Sequence, residues 1–178
     1  SLKSINIPKQ VNKIGDGAFC CPNLAKITVD KNNKYFVSVK DVLYKAGKKY
    51  LLQYAPGKKD TRFTIPSTVK TMGVASFMYC KNLKSVTLPK SIKWIEQNNF
   101  AYCTNLETIV IPKSVTVVSS ESFYKCNKLK VVFYEGSKKQ WNKLDKSTET
   151  NLLKATVAYN GAKSAVALNT KSLTVKKG

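Results

Sequence analysis

Histidine is absent from this 178-residue chain, and arginine occurs once, as Arg62, beside thirty lysines. Without imidazole there is no Ser/His/Asp or Cys/His nucleophile system, no histidine general base, and no histidine-ligated zinc or facial-triad iron site. An enzyme built from this chain would have to run on carboxylates, lysine, tyrosine or thiolates alone. Acids are scarce too: 10 Asp plus Glu stand against 31 Lys plus Arg, a formal net charge of +21. Arginine's planar fork grips phosphate and guanine at two points, whereas lysine is a hydrated point charge that also keeps a surface soluble. A solvated lysine face is therefore expected, and nucleic acid is not an expected partner. No run approaches the ~20 apolar residues of a membrane-spanning helix, so no membrane insertion is expected. Ser1-Leu2-Lys3-Ser4 is not the start of a signal peptide, and a piece cut from a longer secreted protein remains an expectation beside that.

What is present is enough for a packed core, with 43% hydrophobic and 10% aromatic residues in a length suited to one domain. It is organised as a repeat. Pro66, Pro89 and Pro112 recur at a spacing of 23, as do Phe77, Phe100 and Phe123; Cys80, Cys103 and Cys126; and Leu83, Leu106 and Leu129. An earlier copy runs from Leu2 through Ile5, Ile7, Pro8, Val11, Ile14 and Phe19 to Leu24, one residue short between the last two. After it, Ala25-Lys-Ile-Thr-Val-Asp30 matches a repeat's opening strand, and an insertion of about thirteen residues then breaks the period, placed at about 31–60. Within it, Asp41-Val-Leu-Tyr44 and Tyr50-Leu-Leu-Gln-Tyr54 flank a Gly-containing turn, the pattern of a β-hairpin.

Alternation in one copy assigns Leu83, Val86, Leu88, Ile92, Ile95, Phe100, Cys103 and Leu106 to the interior. Lys84 to Pro89 is strand-like, and Gln97 to Cys103 is short and helical at best. A single copy leaves both of its flat apolar faces open, so the copies must stack into a solenoid that shares their burial.

These residues resemble the BspA-like, Treponema-type leucine-rich repeats of bacterial surface proteins. The resemblance rests on Ile5-Asn-Ile-Pro8, Phe63-Thr-Ile-Pro66, Val86-Thr-Leu-Pro89 and Ile109-Val-Ile-Pro112, on Ile14-Gly-Asp-Gly-Ala-Phe19, and on the endings Cys80-Lys-Asn-Leu83 and Cys103-Thr-Asn-Leu106. The insertion from Val42 to Lys58 is similar to a segment that recurs in these proteins. The sequence departs from the pattern where Gly15 and Gly73 give way to Glu96 and Ser119. It departs again where Asn23, Asn82 and Asn105 give way to Lys128, which suggests that the stack is ending. The resemblance covers residues 2 to about 160. It implies an α/β repeat, a β-rich right-handed leucine-rich-repeat solenoid of period 23, and a place on the bacterial cell surface or wall. A cap is expected over about 130–160, where Ser137 and Gln140 form a capping-box pattern and Ala155-Thr-Val-Ala-Tyr159 is strand-like. The first domain is thus expected over residues 1–160. Residues 161–178 are expected to be a linker and the start of a following domain, because Val166 to Gly178 is similar to the opening strand of a group 2 bacterial immunoglobulin-like domain.

Cys80, Cys103 and Cys126 share one inward column, so free buried thiols are expected rather than disulfides, with one of Cys20 and Cys21 facing in and the other out. No Cys-x-x-Cys knuckle occurs, and no metal or cofactor is expected. Glu96, Glu107, Glu121, Glu135 and Asp145 fall at different phases, which does not suit a glycosidase pair ~5–9 Å apart. The outward strand positions form two columns: Ser4, Lys26, Arg62, Ser85, Thr108 and Val131, and beside it Asn6, Thr28, Thr64, Thr87, Val110 and Phe133. Six strands at ~4.8 Å would make a sheet roughly 25 Å wide, near the scale of a recognition patch. Ser4, Asn6, Lys26, Thr28, Arg62, Thr64, Ser85, Thr87, Thr108 and Val110 are accordingly the candidate ligand-binding face, with Lys9, Lys90 and Lys113 on its rim. The function expected is non-catalytic adhesion by a monomer to a protein or glycan of the host or matrix. The alternatives are a lysine-driven binder of teichoic acid, glycosaminoglycan or nucleic acid, and a structural spacer.

Overall fold

The computed structural model describes residues 2–146 and 151–160. The linker and immunoglobulin-like start expected over residues 161–178 lie outside the described residues. In chain order the elements are β1 (Ser4–Ile7), β2 (Lys26–Val29), β3 (Phe36–Val39), β4 (Val42–Lys45), β5 (Tyr50–Tyr54), β6 (Arg62–Thr64), β7 (Thr71–Met72), β8 (Ser85–Thr87), β9 (Trp94–Ile95), β10 (Thr108–Ile111), β11 (Val117–Val118) and β12 (Val131–Tyr134). Helix α1 (Lys138–Lys143), β13 (Asp145–Lys146), a 3-10 turn at Asn151–Lys154 and β14 (Thr156–Tyr159) complete the described chain.

Each coil opens with a short strand, and all pairings between these opening strands are parallel. β6, β8, β10, β12 and β14 form one five-stranded sheet in strict register, for example Arg62, Ser85, Thr108, Val131 and Thr156 side by side. A second set of two-residue strands, β9, β11 and β13, runs along another edge of the solenoid, and β7 joins the hairpin sheet in order β3-β4-β5-β7. The stretch 97–103 forms consecutive turns, and the α-helix of the described residues is confined to the cap. These turns are made possible by left-handed residues in two columns, Gly17, Ala75, Asn98 and Glu121, then Tyr79, Tyr102 and Lys125. The conformationally demanding position therefore sits two residues after Gly15, Gly73, Glu96 and Ser119, which is why those last two side chains are tolerated.

The coils cohere through repeated contacts at identical phase. The Phe77 and Phe100 rings stack at 5.2 Å and Phe100 and Phe123 at 5.3 Å, with Tyr54 of the hairpin continuing the column at 5.4 Å from Phe77. The thiols of Cys103 and Cys126 donate to the carbonyls of Phe77 (3.1 Å) and Phe100 (3.0 Å) one coil back. Burial pushes both thiols up, which suits a neutral donor. All five cysteines are free. Asn82 and Asn105 donate to the carbonyls of Lys58 and Lys81, and Lys128 extends this ladder by donating its ammonium to Asn105 Oδ1 at 2.8 Å. Lys128 thus prolongs the stack, which continues into β12 and β14.

The insertion contains a third strand, β3, besides the expected hairpin, and it separates two hydrophobic cores. Val42, Tyr44, Leu51 and Tyr54 join the large core of the stack, while Phe36, Leu43, Leu52 and Ala55 join a smaller one with Ile7, Leu24 and Ile27. Successive strand residues point to opposite faces, so one hairpin can seal both cores. Its exit approaches the first coil closely. Gly57 N–H donates to the Leu24 carbonyl at 2.8 Å, and a β-carbon at Gly57 would lie 2.7 Å from the Asn23 carbonyl carbon.

The far end is closed by the cap. Ser137 caps α1 and Gln140 returns the bond, the capping box seen in the sequence. Trp141 packs under the end of the sheet, 5.2 Å from Tyr134, and Lys146 caps the helix C-terminus by donating to the Trp141 and Leu144 carbonyls.

Candidate recognition face

The ten candidate residues divide between two sheets. β1 and β2 pair only with each other, and β3 packs against β2 with Ser38 donating to the Ile27 carbonyl, in the place the next coil's strand would occupy. The expected six-stranded face is therefore corrected to a two-stranded and a five-stranded one. The physical cause is the insertion, whose third strand packs against β2 without joining its sheet. Ser4, Asn6, Lys26 and Thr28 stand apart on the smaller sheet, where Thr28 Oγ1 donates to Asn6 Oδ1 at 2.9 Å.

Arg62, Thr64, Ser85, Thr87, Thr108 and Val110 are brought together on the larger sheet. One column runs Arg62, Ser85, Thr108, Val131 and Thr156, and its neighbour runs Thr64, Thr87, Val110, Phe133 and Ala158. Exposure falls toward the middle. Arg62 and Thr64 are exposed, Ser85, Thr87 and Thr108 half-buried, and Val110 and Val131 only 9% accessible each. The face is thus polar at the β6 edge and apolar from β10 to β12. Thr156 and Ala158 were missed as members because the cap breaks the 23-residue spacing that defined the columns.

At the end of this sheet lies a cleft of about 520 Å³. Lys90 and Lys113 line it together with Glu135, Gln140 and Asn160. The two lysines were expected on the rim. Glu135 adds a carboxylate to the same cleft because β12 ends without the proline and lysine of the preceding coils. Such a cleft offers charged and amide hydrogen-bonding groups, and among the described residues no group of three or more Cys, Asp or Glu gathers to hold a metal.

Aromatic residues on other outward phases went unassigned in the sequence. Tyr79 and Tyr102 stack at 4.9 Å and Tyr124 meets Tyr102 edge-on at 5.4 Å. The spacing of 23 between the first two carried that signal, while Tyr124 is one residue out of phase. Trp94, outward on β9, is 50% exposed.

A stack of parallel-stranded coils in register, repeating every 23 residues, defines a leucine-rich-repeat solenoid. Residues 1–39 and 56–154 match the BspA type leucine rich repeat region in six copies, and the chain belongs to that family. No curated protein matches it. Among solved structures, the chain is similar to the pneumococcal vaccine antigen PcpA, at 24% identity and a TM-score of 0.67 over 75% of this chain and 39% of that one. It is also similar to a leucine rich cell surface protein of Faecalibacterium prausnitzii, at 26% identity and a TM-score of 0.54 over 81% of this chain and 51% of that one. The chain therefore spans about two fifths to one half of these proteins. No helix among the described residues is long and apolar enough to cross a membrane.

Proposed function

We propose that this chain is a non-catalytic recognition module of a bacterial cell-surface protein, binding a protein or glycan through the outward face of β6, β8, β10, β12 and β14, in adhesion. The observation that carries the reading is the graded face itself. Its centre, Val110 and Val131 beside Phe133, is apolar and nearly closed to water, Ser85 and Thr87 flank it, and Arg62 and Thr64 form its exposed β6 edge. Hydrogen-bonding groups set around a low-polarity centre are what a recognition face offers a partner at its rim. The surface location is supported by family membership and by the cell-surface protein to which the chain is similar. The face spans roughly 20 Å across five strands at ~4.8 Å, and the cleft beside Lys90 and Lys113 adds hydrogen-bonding groups at its end.

Screening the chain on a glycan array and a panel of host matrix proteins tests the reading. Thr87→Lys with Thr108→Lys places two charges on the half-buried part of the face; binding should fall at least about tenfold with the thermal unfolding temperature unchanged. Equal binding by this variant of the protein or uncharged glycan found in the screen, or hydrolytic turnover of whatever is bound, overturns the proposal.

A further inference from the structure

The second edge of the solenoid carries a row of lysines beside its exposed tryptophan. Lys70 N–H donates to the Lys49 carbonyl at 2.7 Å, and Lys93 occupies the same phase one coil later. Lys49, Lys70 and Lys93 are all exposed, and the hairpin turn that carries Lys49 adds exposed Lys45 and Lys48. Lys45 Nζ lies 4.1 Å from the centre of the Tyr50 ring, and Tyr50 pairs with Thr71 in the strand register. Trp94 is the next outward residue after Lys93 and pairs with Val117. Among the described residues, the ion pairs are those of Lys58 with Asp41 and Asp60, and none of them involves these five lysines. Asp16 is bound nearby to the Tyr50 hydroxyl at 2.7 Å and the Val74 N–H at 3.2 Å, and Glu96 follows Trp94 by two residues.

Like charges on neighbouring strands repel, so a row of them is stabilised by an anion laid across it. Lysine is depleted from the dry centres of protein interfaces, which weighs against a folded protein as occupant. Single charges repeated at strand spacing suit a linear polymer with single charges along its length, and lysine rather than arginine suits contacts without a bidentate demand. The half-exposed indole supplies a flat surface for the C–H face of a sugar ring. We infer that Lys49, Lys70, Lys93 and Trp94 form a binding surface for an anionic polysaccharide, separate from the β6 to β14 face.

Heparin, hyaluronan, neutral dextran and polyglutamate are the probes, measured by calorimetry against the whole chain and its variants. Heparin and hyaluronan should bind and dextran should not. Lys70→Glu with Lys93→Glu should weaken heparin about tenfold or more and lower the slope of log K against log salt by about two. Trp94→Ala should weaken both anionic sugars several-fold while leaving polyglutamate unaffected. Lys138→Glu with Lys139→Glu, an equal charge change on α1, should alter heparin binding less than twofold, and so should the Thr87→Lys/Thr108→Lys pair. The inference is overturned if heparin does not bind, if the α1 pair weakens it as much as the Lys70/Lys93 pair, or if polyglutamate binds as tightly as heparin and is equally weakened by Trp94→Ala. Circular dichroism of each variant separates loss of the surface from loss of the fold.

Discussion

Residues 2–30 and the stack from β6 onward use the same repeat, yet they are held by different means. In the stack, each coil meets its neighbours through an aromatic ring, a thiol-to-carbonyl bond and a shared sheet, all repeated at one phase. The first coil and β2 lack that arrangement. They form a core of their own, sealed by one side of the hairpin and tied to the stack by polar and close backbone contacts. Asp16 accepts from Tyr50 and Val74, Gly57 donates to Leu24, and the Cys20 thiol lies 3.7 Å from the Ala75 carbonyl. A repeat interface is cooperative because every contact is copied, whereas the joint at the insertion depends on a few residues that occur once.

The largest effect should come from breaking the copied contacts. Phe100→Ala removes a fully buried ring between Phe77 and Phe123, and denaturant unfolding should show a loss of about 3–5 kcal/mol. Leu43→Ala opens the smaller core instead, with an expected cost of about 2–4 kcal/mol. Amide exchange should then quicken in β1 and β2 but hardly around Phe100; equal quickening in both would show that the two regions unfold as one. Gly57→Ala forces a methyl onto the Asn23 carbonyl, an expected overpacking cost of about 1–3 kcal/mol, and should raise the labelling rate of Cys21 while leaving Cys103 protected.

The smallest effect is alkaline. Burial first, and then Cys21, raise the Cys20 thiol from 9.0 to about 11. Because the folded state holds this proton more tightly than the unfolded chain, its contribution is complete below pH 9 and is lost as pH rises through 11. Cys20→Ser should therefore lose less stability than the parent between pH 9 and 11, read by melting temperature across that range.

Most of the stack was legible because its information is periodic. Phe77, Phe100 and Phe123 announce their common depth by spacing alone, and strand alternation separates Val86 from Ser85 and Thr87. The capping box at Ser137 was legible for a local reason, since its two partners are three residues apart. What was not legible is what depends on a single event. Nothing in the residues around Ser38 shows that β3 will pack against β2 and that the candidate face will be divided. The position of the left-handed residues was also hidden, because Ala75, Asn98 and Glu121 share no chemistry. For the outward columns, spacing shows which residues align but not which are closed to water; Val110 and Thr87 have the same phase and different exposure.

The phenylalanine column has a consequence for how such a molecule can change length. Each ring offers the same surface to the coil before and the coil after, so any coil is complementary to a duplicate of itself. A 23-residue segment copied in frame between Phe100 and Phe123 would meet a ready-made neighbour on either side. The chain would lengthen by one strand, ~4.8 Å of added face, and new outward residues could then vary on a scaffold whose fit was already assured.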